Sequence, residues 1–304
     1  MTLRTPRDVL LAMYDLLEST RVMHRNCGVL HRDIGTRSVL IETGIHRASE
    51  APGATCPSTT SVDEQPYEGA AYCSARYLLG ESVDRTMTSN LLVGFDHAVA
   101  LEPDEIPESN PWAGDPMFMA RAIRRGRPLG IRGQRVVVSS TPELVPLIQA
   151  AYNAAHPDRA ARFRCKTGSY SMNAARSRIP AYHTLRHDAE SVFWLFVWWL
   201  ANAVPPGAQA TAINPAVLSA LTAGKGADDV REEALNFPLG LMAYGELDRL
   251  VASLWTAVRP ELQWATEVPY TDPEFLHEAM QRQILNFLVE NKTATFMNLM
   301  KTTE

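Results

Sequence analysis

Apolar residues recur at three- and four-residue spacing in several stretches of this chain. Leu10, Met13 and Leu17 form one such stripe. Ahead of it, Thr5-Pro6-Arg7-Asp8 places a threonine at the N-cap, a proline at the first helical position and an acid three residues after the cap. Gly28 supplies the stop. The pattern therefore predicts a helix from about residue 6 to the glycine. Val39-Leu40-Ile41 reads as a short strand, and "SNLLVGFDHAVAL" (89–101) also has strand character.

A short β-like "QRVVV" (134–138) and a helix beginning at "STPELVPLIQAAY" (140–152) follow. From Asp188 onward the pattern is helical nearly to the end. "GELDRLVASLWTAV" (245–258) and "DPEFLHEAMQRQILNFLVEN" (272–291) are amphipathic. "VFWLFVWWLANAV" (192–204) is apolar all round, as a helix is when it is buried on every side, and is too short to span a bilayer. No internal repeat is visible. One α-rich domain with a small β element is expected, an α+β chain that is mainly α.

Two stretches interrupt the pattern. Residues 46–90 read as an insertion, and 46–69 within it, with three prolines, many Ser and Thr and few large apolar side chains, is expected to be disordered. Residues 121–181 read as a second insertion. They carry eleven arginines and Lys166 against Glu143 and Asp158, a net charge of about +10. No aromatic residues interleave with these cations in the way single-strand binding requires. The expectation is a solvated basic segment that pairs with carboxylates elsewhere, not a nucleic-acid site.

Composition narrows the class further. With 304 residues the chain can bury a substantial core, and 46 % hydrophobic with 21 % charged residues is the balance of a soluble globular protein. A net charge of −5 gives no global attraction to nucleic acid or anionic lipid. Cys27, Cys56, Cys73 and Cys165 show no C-x-x-C spacing, which fits a reducing compartment. The N-terminus has early charges and no secretory apolar core, so an intracellular protein is expected, cytoplasmic or nuclear, without membrane association. Without a secretory route the sequon at Asn291 carries no meaning.

The chemistry is concentrated in "GVLHRDIGTRSVLI" (28–41), where an apolar pair leads into His31-Arg32-Asp33, four residues intervene, and Ser38 precedes another apolar run. In phosphoryl transfer an aspartate in such a loop accepts the substrate hydroxyl proton, and a polar residue five positions later faces the metal. "VGFDHA" (93–98) is a second signal, comparable to the Asp-Phe-Gly that holds magnesium. Aligned on Phe95, Gly94 replaces the metal carboxylate and Asp96 takes the place of the glycine. A register slipped by two would make Asp96 the metal carboxylate instead. The first keeps the phenylalanine and a small residue at Ala98.

These stretches, with "GDPMFMA" (114–120) and "YHTLRHDAESVFWLFVWW" (182–199), resemble the fungal-specific protein kinase-like family of the protein kinase superfamily. The last is the most specific: His183, Thr184, His187, Asp188, Glu190 and Ser191 fit the family's His-Thr-x-x-His-Asp-x-Glu-Ser run. The resemblance covers residues 5 to about 204. It implies a kinase C-terminal lobe with two long insertions, and an ancestral transfer of the ATP γ-phosphoryl group to a protein Ser or Thr. It implies Asp33 as the catalytic base and His31, Arg32, Ser38 and Asp188 as loop residues, with Asp188 accepting hydrogen bonds from the His31-Arg32 backbone. Phe95 and Asp96 would lie at the cofactor, with Asp96 and Ser38 as the remaining magnesium ligands. Mg-ATP is the implied cofactor.

Departures from the family pattern count against activity. Only 30 residues precede His31, and they contain no lysine, so the glycine-rich loop and N-lobe lysine of a kinase are expected to be absent from this chain. "GRPLGIRG" (126–133) has the wrong spacing and place. Gly94 removes a negative magnesium ligand, Ser38 replaces an asparagine, and Ala122 stands where the family carries glutamate. The expectation is an impaired or inactive kinase-like domain, either a pseudokinase or a fragment lacking its N-lobe, with a protein-interaction or polyanion-binding module built on 121–181 as the alternative. His183 and His187, four apart, could suggest zinc, but no matching second ligand pair is evident and none is expected.

Overall fold

In the computed structural model the described residues are 5–41, 46–47, 71–101, 113–126, 135–138, 141–163, 168–171, 182–203, 215–222, 245–260 and 270–299. Most of the expected disordered stretch, residues 48–69, lies outside them. The chain is mainly helical with small β elements.

Helix α1, Pro6–Cys27, starts as its sequence dictates: the Thr5 hydroxyl accepts the Asp8 N–H at 3.1 Å, and Gly28 closes it in the left-handed conformation at φ 64°. Gly28 is required for a second reason. A Cβ here would lie 2.3 Å from the Leu101 carbonyl oxygen, because β1 (Val29–Leu30) pairs antiparallel with a strand at Val99–Ala100 directly after the glycine. Val9, Leu10, Tyr14 and Leu17 are wholly buried, and α1 packs against a later helix, Phe275–Glu290, and against α6 (Leu185–Asn202).

Helix α6 is the interior of the domain. Val192, Phe193, Trp194, Leu195, Phe196, Val197 and Trp199 are all at most 2 % exposed. A helix that is apolar all round is stable only when other elements enclose it, and α1, Gly245–Val258 and Phe275–Glu290 do so here. Each such side chain contributes about 1.5–3 kcal/mol on burial, which makes α6 the dominant apolar element.

The β structure consists of two-stranded antiparallel pairs. Strand β2 (Val39–Leu40) pairs with Leu91–Leu92 in the register Val39↔Leu92 and Leu40↔Leu91. The expected strand over 89–101 is thus two strands, split by the left-handed Gly94 and a 3-10 turn at Phe95–His97, and the two halves pair with different partners. Arg135–Val138 pairs with Gly168–Ser171, which the sequence pattern did not show because Gly-Ser-Tyr-Ser lacks strand-forming apolar residues.

Residues 71–90 of the first expected insertion pack on α1: Cys73 and Ala75 are wholly buried, and Asp15 of α1 accepts hydrogen bonds from the backbone of Ala75 and Ser89 at 2.9 Å. Two further expectations differ from the fold. The helix placed near 140 begins at Pro146, and Thr141 instead donates its hydroxyl to the Phe163 carbonyl at 2.7 Å. The arginine-rich stretch is not simply solvated, since Arg121, Arg124 and Arg159 are at most 1 % exposed.

Candidate functional site

The candidate site is assembled between β1, β2 and the start of α6. Thr184 caps α6, and the His187 ring folds back so that its Nδ1 accepts the Thr184 N–H at 2.9 Å. This places Asp188 in the first turn, buried, with its carboxylate toward the 31–33 turn. One carboxylate oxygen accepts the His31 N–H at 2.9 Å and the other the Arg32 N–H at 3.0 Å, while His183 Nε2 lies 2.9 Å from the second. Burial alone would raise the Asp188 pKa. The His183 imidazole and the two backbone donors outweigh it and hold the group at about 2. Arg32 stands at φ 70°, a left-handed conformation that side chains adopt only when the surroundings fix it.

His31 is buried and locked. Its Nδ1 accepts the Asp33 N–H at 3.3 Å, so Nε2 carries the proton and donates to the Val93 carbonyl at 3.1 Å. Its ring meets the Phe95 ring edge-on at 4.9 Å between centroids. These bonds join the His31 turn to the Leu91–Leu92 strand, and the Val93 N–H donating to the Ser38 carbonyl at 2.8 Å closes the link.

The Asp33 carboxylate accepts the Asp115 N–H at 2.9 Å. The Ser38 hydroxyl accepts the Gly35 N–H at 2.8 Å and donates to the Gly35 carbonyl at 3.2 Å. It is therefore engaged within its own 35–38 turn. Gly94 comes closest to Ser38: a Cβ built on it would lie 3.7 Å from the Ser38 Cβ. Phe95 is 46 % exposed, and Asp96 is exposed in the 3-10 turn beyond it. Of the residues singled out in the sequence, His31, Arg32, Asp33, Ser38, Phe95 and Asp188 are thus brought together by direct bonds and contacts, with Asp96 at the rim.

A magnesium ion held between two such segments needs oxygen donors, at least one of them anionic. At the place where the two segments meet stand Gly94, which has no side chain, and a buried serine hydroxyl already shared with Gly35. This donor set does not fit the ion. Among the described residues no group of three or more His, Cys, Asp or Glu side chains is arranged to hold a metal. Of the pair with zinc-like spacing, His183 directs Nε2 at Asp188 and His187 directs Nδ1 at the Thr184 cap.

A second cluster lies deeper, and its partners come together only in the folded chain. Glu18 of α1 accepts from Arg159 at 2.7 and 2.9 Å and from Arg21 at 2.7 Å. Arg159 also lies 3.3 Å from Glu278 and 3.0 Å from the Tyr152 hydroxyl. Burial would push the Glu18 pKa up, but the guanidinium groups of Arg159 and Arg21 bring it well below the usual range. Arg121 pairs with Glu190 at 2.7 Å and covers the Trp255 ring at 4.6 Å. The only legible hint was the three-residue spacing of Glu18 and Arg21 on one helix face. These arginines belong to the described interior and are unavailable to a polyanion.

At the surface, Leu40 and Leu91 face each other across the strand pair and are 52 % and 60 % exposed. Among the described residues no helix is long and apolar enough to cross a membrane. Compared with known proteins, the chain matches no family model, no curated protein and no solved structure.

Proposed function

We propose that this chain is a kinase-like C-terminal lobe of the fungal-specific protein kinase-like type whose catalytic loop survives as a scaffold, and that it acts by binding protein partners and not by phosphoryl transfer. The observation that carries this reading is the meeting of Gly94 and Ser38. The resemblance puts two magnesium ligands there, and this chain offers no carboxylate and a hydroxyl bound to its own turn. Charge neutralisation by the metal supplies much of the catalysis in this reaction class, so Asp33 as a base would act almost alone.

The bonds from Asp188 to the left-handed His31-Arg32 turn support the kinase-like part of the reading, since the turn is kept in shape although the metal donors are gone. The exposed Leu40 and Leu91 support the binding part, as adjacent large apolar side chains on a soluble surface commonly mark contact sites. Polyanion binding through residues 121–181 is less well supported. Arg121 and Arg159 are buried against Glu190, Glu18 and Glu278.

The test uses the full chain, with transfer of labelled γ-phosphate from ATP to a mixed Ser/Thr protein substrate in magnesium or manganese. The expected result is no transfer above that of Asp33→Asn, and no magnesium-dependent rise in melting temperature with ATP. Metal-dependent transfer that disappears in Asp33→Asn would reject the proposal.

A further inference from the structure

We infer that Asp33 is a positioning residue in this chain: its carboxylate anchors the 113–121 segment, as one of two carboxylates that hold the ends of that segment. The inference rests on the reading above for the loss of metal chemistry at the site, and goes beyond it in giving Asp33 a different task.

The segment is fixed at both ends in the same manner. At its start the Asp33 Oδ1 accepts the Asp115 N–H at 2.9 Å. At its end Glu190 Oε1 accepts the Arg121 N–H at 3.0 Å and the Arg121 Nε–H at 2.7 Å. A carboxylate that accepts a backbone N–H makes a charge-assisted hydrogen bond, stronger than a neutral one. Between these ends the segment holds itself in a turn: the Asp115 carbonyl accepts from Phe118 and Met119, and the Asp115 carboxylate from Met117, all at 3.0 Å. Phe118 then enters the core against Gly35 and Trp198.

The approach to Asp33 is too close for a side chain. Gly114 stands at φ 98°, and a Cβ on it would lie 2.7 Å from the Arg32 carbonyl oxygen and 2.9 Å from Asp33 Oδ1. The backbone of 114 and 115 therefore lies directly on Asp33, and its Oδ1 is engaged by a peptide N–H. Arg37, 84 % exposed in its side chain, lies 3.7 Å from the Asp115 carboxylate. A general base needs an oxygen facing the substrate hydroxyl. Here an Asp33 oxygen faces the chain's own backbone, and the geometry is that of an anchor.

A base or metal ligand needs the charge of Asp33, whereas an anchor needs only an acceptor oxygen, which asparagine keeps. The experiment is amide hydrogen exchange of the 113–120 stretch in the full-length protein, with Asp33→Asn, Asp33→Ala and Gly114→Ala beside the wild type. Protection of the Asp115 amide is expected to persist in Asp33→Asn and to fall at least tenfold in Asp33→Ala. Gly114→Ala, which leaves Asp33 intact but displaces the backbone from it, is expected to show the same fall. Because it keeps the Asp33 carboxylate in the chain and changes only the backbone's approach to it, it decides the matter if Asp33→Ala does not fold.

Wild-type protection in either alanine variant would overturn the inference. So would a loss of magnesium-ATP binding in Asp33→Asn while Asp115 stays protected, since that would return Asp33 to chemistry. Phosphoryl transfer by the wild type would reject the inactive-kinase reading alone, leaving the anchor to be decided by exchange.

Discussion

Asp188 fixes the backbone of Arg32: one of its oxygens accepts the Arg32 N–H at 3.0 Å, and Arg32 is the described non-glycine residue with positive φ. The other oxygen holds the neighbouring His31 N–H. Replacing Asp188 by alanine leaves two backbone donors without their acceptors beside a strained residue. It is expected to cost roughly 3–5 kcal/mol, whereas Asp188→Asn, which keeps one acceptor, costs about 1–3 kcal/mol. Urea unfolding measures both. A loss below about 1 kcal/mol in the alanine variant would mean that the turn holds without this clamp.

Two buried carboxylates give opposite pH dependence. Asp188 is held down at about 2, so its stabilisation is present above about pH 4 and is lost as pH falls toward 2, roughly 2 kcal/mol in all. Asp15 is raised to about 6 by burial, which outweighs its bonds from Ala75 and Ser89. Its contribution is full below about pH 4 and is lost as pH rises through 6, roughly 3 kcal/mol. Stability measured from pH 2 to 7 should flatten between 4 and 6 in Asp15→Asn. In Asp188→Asn the flattening should lie below 4. An unchanged Asp15→Asn profile would show that this carboxylate does not titrate in that range.

The buried pair of Glu18 and Arg159 should be costly to break on one side. Glu18→Gln removes the anion that Arg159 and Arg21 share, leaving each with one carboxylate fewer, and Arg159→Met leaves Glu18 and Glu278 short of a cation. Each single change is expected to lose roughly 3–5 kcal/mol. The double variant should lose less than the sum, with a coupling of at least about 1 kcal/mol in a double-mutant cycle. Strict additivity would show that the two groups do not depend on each other.

Gly28→Ala places a methyl group 2.3 Å from the Leu101 carbonyl oxygen at φ 64°. The expected loss is above about 2 kcal/mol, since both the conformation and the contact oppose the side chain. Gly80→Ala is the control. Gly80 also has positive φ, but no atom lies within 4 Å of its Cβ position, so only the conformational cost of about 1 kcal/mol remains. Equal losses in the two variants would remove the steric part of the explanation.

Where the sequence was legible, a local rule was enough. The Thr5 cap, the Gly28 stop and the all-apolar run from Val192 each depend on residues within a few positions of one another, and the structure has all three features. The strand pairs were partly legible: Val39-Leu40 is apolar and begins with a β-branched residue, but its partner at Leu91–Leu92 lies some fifty residues away and is chosen by packing. That residues 71–90 dock on α1 through Cys73, Ala75 and Leu78 was not legible, because these few buried residues are spread through a mostly polar stretch.

The sequence by itself determined the helical periodicity, the caps, the buried central helix and the residues of the His31–Ser38 loop, because these follow from side-chain spacing and local backbone preference. Tertiary structure decided which charges are interior, that Asp188 reaches across to the Arg32 backbone, and that Asp115 lies on Asp33. Those contacts join residues 82 to 156 positions apart. Charge and hydrogen-bonding capacity are written in each residue, but the partner that satisfies them is fixed only when the apolar faces have packed.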